Sequence, residues 1–254
     1  MSDVHGRFLW YELMTSDPEA AIGFYGDVVG WGTEAWDGGP QPYTMWTANG
    51  APVGGVMALP EEAAGAPPHW MAYIGTPDLD ATVAKAEELG AQVVWGPMEV
   101  PEVGRMAGIS DPQGAMFAAY QPANDPPAAG DPHPGCFSWH ELWTTDQEAA
   151  WAFYSALFGW EKTTAMDMGG GNMYQMFRVP GGPELGGMAL RPPEMPVSNW
   201  LLYAMVDDAG ASVEAMKAGG GQVHNGPMEV PGGDLVAQGA DPQGAHFAVH
   251  AKAG

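Results

Sequence analysis

Two strand-like segments of this chain place a carboxylate and an indole on one face. In Phe8 to Met14 and Phe137 to Trp143 successive side chains alternate, so Glu12 shares a face with Trp10, and Glu141 with Trp139 and Trp143. Two further segments do the same with a phenol, Tyr73 beside Met71 and Tyr203 beside Leu201. A Glu against an apolar wall is pushed towards its protonated form and can then serve as a general acid or base, with a phenol as hydrogen-bonding partner. Glu12, Glu141, Tyr73 and Tyr203 are therefore the candidate catalytic residues. The structural alternative is a buried carboxylate retained because a neighbouring strand hydrogen-bonds it. Both readings stay open on sequence alone.

Other reactive groups are sparse. His246 and His250 flank Ala248 on one strand face and with Glu141 form a possible His/His/Glu group, but four residues along a strand separate the two histidines by roughly 13 Å, too far to share one ion. A ligand-contacting or solvent-facing role is the expectation for both. His140 and Tyr11 point to the opposite strand face, towards the helices, and read as packing residues. His69 and His224 fall near strand ends, and Glu99 and Glu229 suit a rim or turn. Asp111 and Asp241 suit side-chain to backbone bonds within their turns. Cys136 is the sole cysteine, so neither an intrachain disulfide nor a Cys-based zinc cluster can form. Gly169 to Gly171 lacks the Lys and helix of a phosphate loop.

The elements that must position these groups are written twice. FLWYELMTSDPEAAIGFYGDVVGW (Phe8 to Trp31) returns as FSWHELWTTDQEAAWAFYSALFGW (Phe137 to Trp160) at an offset of 129 residues. GPMEVP recurs from Gly96 at Gly226, and DPQGA from Asp111 at Asp241. Pro122 to Pro134, PANDPPAAGDPHP, reads as a linker, which gives domains at 6–122 and 136–252 joined by 123–135. Within the first copy the pattern predicts a strand at Phe8 to Met14, a helix capped at Asp17 and ended by Gly30, and strands near Gly32 to Asp37, Tyr43 to Thr47 and Val53 to Leu59. It then repeats: strand Trp70 to Thr76, helix Leu79 to Leu89, and strands at Gln92 to Trp95, Arg105 to Ile109 and Met116 to Tyr120. Each copy thus contains two βαβββ modules.

Four such modules, with the DPEAAIGFYGDVVGW, PDLDATVAKAEELGA and DPQGA segments, resemble the vicinal-oxygen-chelate superfamily of glyoxalases, bleomycin-resistance proteins and extradiol dioxygenases. More narrowly, the chain resembles two-domain glyoxalase-like proteins of actinobacteria, often labelled hydroxylases. The resemblance implies an α+β fold of two tandem domains, each a cup-shaped mixed sheet with helices outside. It also implies metal-ligand positions at Trp10, Met71, Trp139 and Leu201 on first strands and at Ala118 and Ala248 on last strands. None of these residues ligates a divalent ion well, so no cofactor is expected and a metal is conceivable solely at a displaced site. The cup so implied is lined by Trp10, Met14, Met57, Met71, Met116 and Tyr120 in one copy and by Trp139, Trp143, Met188, His246 and His250 in the other. Such walls suit a flat apolar ligand held by a few polar contacts.

Composition limits the partners. The chain has 254 residues, and 31 acidic against 8 basic ones give a net charge of -23, which repels nucleic acid and anionic lipid. No run approaches the roughly 20 apolar residues of a membrane helix, and the first residues do not form a secretory signal. The expectation is a soluble, unprocessed cytoplasmic monomer or homodimer with a small-molecule ligand. Three functions remain in view: metal-independent binding or transformation of an aromatic or polyketide-like metabolite, a metal-dependent lyase, isomerase or dioxygenase with a displaced site, and non-catalytic sequestration of a drug.

Overall fold

A computed structural model of the chain describes residues 4–39, 41–63, 65–126, 130 and 132–253. Part of the expected linker, 127–129 and 131, lies outside the described residues. The first repeat runs β1 (Phe8–Thr15), α1 (Pro18–Val29), β2 (Gly32–Trp36), β3 (Tyr43–Ala48), β4 (Ala51–Ala58), then β5 (His69–Gly75), α2 (Leu79–Glu88), β6 (Gln92–Val100), β7 (Gly104–Ser110) and β8 (Met116–Pro122). The second runs β9 (Phe137–Thr144), α3 (Gln147–Phe158), β10 (Glu161–Asp167), β11 (Met173–Arg178), β12 (Glu184–Leu190), then β13 (Asn199–Met205), α4 (Ala209–Ala218), β14 (Gln222–Glu229), β15 (Leu235–Ala240) and β16 (His246–Ala251). This is the expected α+β arrangement, βαβββ four times.

Local chemistry explains the boundaries. The helices begin at Asp17, Asp78, Asp146 and Asp208, whose carboxylates accept the N–H of Ala20, Ala81, Ala149 and Ala211, each at 3.0 Å. Such a cap contributes about 1 kcal/mol. α1 and α3 stop at Gly30 and Gly159, which take the left-handed conformation without a Cβ penalty. β6 runs further than the sequence suggests, through the GPMEVP segment to Val100. Its pairing jumps from Trp95↔Gly108 to Met98↔Met106, so Gly96 and Pro97 form a bulge where the missing proline N–H breaks no ladder bond. Among the described residues no helix is long and apolar enough to cross a membrane.

Each repeat builds one eight-stranded mixed sheet, in the orders β2-β3-β4-β1-β5-β8-β7-β6 and β10-β11-β12-β9-β13-β16-β15-β14. The first strand of each module pairs in parallel with its last, and the remaining pairs recorded are antiparallel. Contacts divide the chain differently from the repeats. One compact unit draws on residues 4–9, 72–126 and 139–200, the other on the described residues of 10–71, 130–138 and 201–253. Each unit therefore combines one module from each repeat.

The core of each unit is built round one buried chain of hydrogen bonds. In the first, Trp200 Nε1 donates to Tyr154 Oη (3.1 Å), and Tyr154 Oη donates to Asp111 Oδ2 (3.0 Å). Asp111 Oδ1 takes the N–H groups of Gln113 and Ala115 at 2.9 and 2.8 Å. In the second, Trp70 donates to Tyr25 (2.8 Å), Tyr25 to Asp241 (3.2 Å), and Asp241 Oδ1 accepts from Gln243 and Ala245. The helix of one repeat is thus tied to the DPQGA turn of the other. Burial raises the carboxyl pKa of Asp111 and Asp241, and the backbone and tyrosine bonds oppose that rise. Rings pack round each chain: Phe117, Phe158 and Trp160 about Tyr154, and Trp31, Trp46 and Phe247 about Tyr25.

Tyr154→Phe keeps the ring and leaves Asp111 Oδ2 and Trp200 Nε1 without this partner. It should destabilise the protein by about 1–3 kcal/mol in urea unfolding, and Tyr25→Phe by a similar amount; a loss below about 0.5 kcal/mol, the level of an ordinary surface substitution, would contradict the assigned role.

Candidate functional site

The first module of each repeat carries a matched constellation. On β9, Trp143 Nε1 donates to Glu141 Oε2 at 2.7 Å, and Trp139 Nε1 donates to Tyr174 Oη at 2.7 Å. Gly187 of β12 stands beside Glu141 in register, and a Cβ there would collide with the Tyr174 ring, so the phenol lies against bare backbone. On β1, Trp10 Nε1 donates to Tyr43 Oη at 2.8 Å, Glu12 stands beside Gly55, and Tyr43 lies against that glycine in the same way. Glu12 and Glu141 are both buried. Beside them Met14 pairs with Met57 in the first repeat, and Trp143 with Ala189 in the second.

One expected lining residue faces elsewhere. Met188 pairs with Leu142 and so lies on the face opposite Glu141, fully buried. The cause is a difference in chain length before β12: the Gly186-Gly187 pair, not the residue count, aligns with Gly54-Gly55, which puts Met188 in the place of Val56. Tyr43 and Tyr174 escaped the sequence reading. The signal available was the Gly-Gly pair in both copies, since a strand glycine marks a close approach by another group.

The second modules differ between repeats. One row of register partners crosses β5, β8, β7 and β6 as Tyr73, Ala118, Gly108 and Trp95. Its counterpart crosses β13, β16, β15 and β14 as Tyr203, Ala248, Gln238 and Asn225. Gln238 Nε2 donates to Tyr203 Oη at 2.6 Å. Tyr73 meets Tyr120 edge to face at 6.2 Å, and Tyr120 Oη donates to the Val103 carbonyl at 2.9 Å. Met71 and Leu201 are buried and Met116 is half-buried. His246 is largely exposed and stacks on His224 at 5.1 Å; the partial desolvation its surroundings impose, and that neighbour, lower its pKa. His250 bonds Ser138 Oγ through Nδ1 and Asp234 Oδ2 through Nε2, each at 2.8 Å. The Ala253 N–H, with His250 and Lys252, holds Asp234 down to about 2. His246 and His250 are thus separately partnered.

The donor set does not fit a metal at the positions the resemblance implies. Trp10 and Trp139 spend their indole N–H on tyrosines and have no lone pair to offer. Met71, Leu201, Ala118 and Ala248 supply neither imidazole nor carboxylate. Among the described residues, no three His, Cys, Asp or Glu side chains gather as a metal-holding group.

Comparison with known proteins agrees with the fold. The family Glyoxalase/Bleomycin resistance protein/Dioxygenase superfamily matches residues 7–119 and again 137–249. CFP32 of Mycobacterium tuberculosis, which carries the name glyoxylase, is 36% identical over 247 residues, covering 94% of this chain and 92% of that protein. The anthracycline biosynthesis protein DnrV of Streptomyces peucetius is 32% identical over 264 residues, covering 96% and 92%. The Mn(II)-bound glyoxalase from Novosphingobium aromaticivorans superposes with a TM-score of 0.65 at 19% identity, over 98% of this chain and 82% of that one. The chain belongs to the Glyoxalase/Bleomycin resistance protein/Dioxygenase superfamily.

The other face of β9 holds a titratable group outside the site. His140 stacks on Phe8 at 3.6 Å and bonds the Leu185 carbonyl through Nδ1 at 2.6 Å; Tyr11 stacks on Phe137 at 3.9 Å. Burial lowers the His140 pKa from 6.5 to about 4. The unfolded chain therefore binds the extra proton between those values, and stability falls as pH drops through that window, by up to about 3 kcal/mol. His140→Gln should flatten this part of a pH series of unfolding midpoints; an unchanged slope would show that His140 is not its source.

Proposed function

We propose that this member of the superfamily binds a small, flat aromatic or polyketide-like metabolite against the Trp- and Glu-bearing faces of β1 and β9, without a metal ion. The observation that carries this reading is the indole-to-phenol hydrogen bond, Trp10 to Tyr43 and Trp139 to Tyr174, set where a metal would need a ligand. Ring faces and methionine supply apolar contact for a flat ligand. Glu12 and Glu141 supply one polar anchor per repeat, and the Trp143 bond fixes the carboxylate of Glu141 in orientation. The ligand class agrees with the similarity to an anthracycline biosynthesis protein. If the ligand is transformed, Glu12, Glu141, Tyr73 and Tyr203 are the groups able to accept or give a proton. Sequestration without turnover is the second reading, favoured for neutral or cationic compounds by the charge of -23.

Titration of the full chain with 1,8-dihydroxyanthraquinone, followed by tryptophan fluorescence, tests the proposal. Binding should saturate, keep its affinity within about twofold in EDTA, and weaken about tenfold in Trp139→Ala, as expected for loss of an aromatic contact. A tenfold or greater loss in EDTA would contradict it.

A further inference from the structure

A hydroxyl, an imidazole and a carboxylate form one chain in the second repeat. His250 on β16 stands between two partners: its Nδ1 is 2.8 Å from Ser138 Oγ on β9, and its Nε2 is 2.8 Å from Oδ2 of Asp234, just before β15. All three residues belong to one compact unit. The Ala253 N–H binds Asp234 Oδ1 at 2.9 Å and Lys252 Nζ binds Oδ2 at 3.2 Å, and with His250 these donors keep the carboxyl ionised. An ionised carboxylate has no proton to give, so Nε2 carries the hydrogen and donates it. Nδ1 then keeps its lone pair and accepts the Ser138 hydroxyl. The Tyr203 carbonyl, 3.4 Å from the same hydroxyl, is the weaker acceptor.

The first repeat shows that the fold does not need this set. At the matching positions it carries Leu9, Tyr120 and Gly104. Leu9 lies against Gly75, and Tyr120 Oη donates to the Val103 carbonyl. The strand register is the same in both, Met106↔Tyr120 and Val236↔His250. An aliphatic side chain, a phenol and a glycine are thus exchanged together for three polar groups that converge on one imidazole. The side chains of His250 and Asp234 keep 13% and 21% of their surface exposed and Ser138 is half-buried, so solvent reaches the set.

We infer that Ser138, His250 and Asp234 form an acyl-transfer site that hydrolyses small aryl esters, with Ser138 as nucleophile, His250 as base and Asp234 as the positioning residue. This site does not depend on the proposed ligand faces of β1 and β9. A nucleophile and base within hydrogen-bond reach, the base oriented by a third group, are the parts that acyl transfer from serine requires, whichever ring nitrogen faces which partner. Ser138 Oγ attacks the ester carbonyl carbon as its proton passes to His250 Nδ1; the bond from that carbon to the aryl oxygen breaks, and the departing oxygen takes the proton. Water then adds to the acyl carbon and gives a proton to Nδ1, which returns it to Ser138 as the acyl bond to Oγ breaks. The balance is ester and water giving carboxylic acid and phenol. Asp234 stays ionised, fixes the tautomer and faces the imidazolium as it forms. An aryl ester suits this set because its phenolate departs with little assistance.

The test treats the full chain with diisopropyl fluorophosphate and, separately, assays hydrolysis of p-nitrophenyl acetate. Peptide mass spectrometry should find the label on Ser138, and hydrolysis should fall about 100-fold or more in Ser138→Ala and in His250→Gln. Asp234→Asn, which keeps the volume and removes the charge, should lower kcat at least about tenfold with KM within about threefold, a split that loss of a structural tie alone would not give. Folding of each variant is judged by circular dichroism, and the labelling of wild-type protein needs no variant. Absence of label on Ser138 in the wild type, or hydrolysis by folded Ser138→Ala within about twofold of wild type, would overturn this inference.

Discussion

A buried aspartate that takes a hydrogen bond from a tyrosine of the other repeat is the constraint on which this molecule depends. Asp111 and Asp241 each cap their own turn with one oxygen and receive a phenol with the other, and each phenol in turn receives an indole N–H. All the members are buried, so removing one exposes the rest to the cost of an unmet polar group. The duplication is thereby locked in. Without the helix of the other copy, one oxygen of each turn carboxylate loses its tyrosine partner.

The opposite strand faces lie outside these hydrogen-bond chains. Those faces are where the two repeats diverge. The first modules keep one plan, indole to phenol beside a glutamate, whereas the second modules exchange Trp95 and Gly108 for Asn225 and Gln238. Duplication of a shared core with divergence on one face is the physical setting in which one fold acquires two different surfaces.

The fold was legible because its signals are local. Capping aspartates, helix-ending glycines and period-two strands each report a backbone requirement, and the second copy repeats them. The β6 bulge was not legible, since GPMEVP reads as a loop until the partner strand absorbs the extra residue. The candidate site was legible in part. Alternation placed Glu12, Glu141, Trp10 and Trp139 on one face, but Met188 slipped because extra residues before β12 move the offset between copies from 129 to 132, an odd shift that exchanges the faces. Tyr43 and Tyr174 depend on contacts with distant glycines. The tie from Tyr154 to Asp111 joins residues 43 apart, and the tie from Tyr25 to Asp241 joins residues 216 apart, which no local pattern encodes.

At the metal-ligand positions the resemblance implies, this chain carries aromatic and apolar residues, and the proposed binding needs no metal. The deciding measurement is metal content per chain, determined by mass spectrometry on protein purified from cells supplied with Mn, Fe, Ni, Co and Zn. Occupancy near zero is expected for every metal. Near-stoichiometric occupancy by any of them would contradict it and make Glu141, His246 and His250 the first residues to substitute.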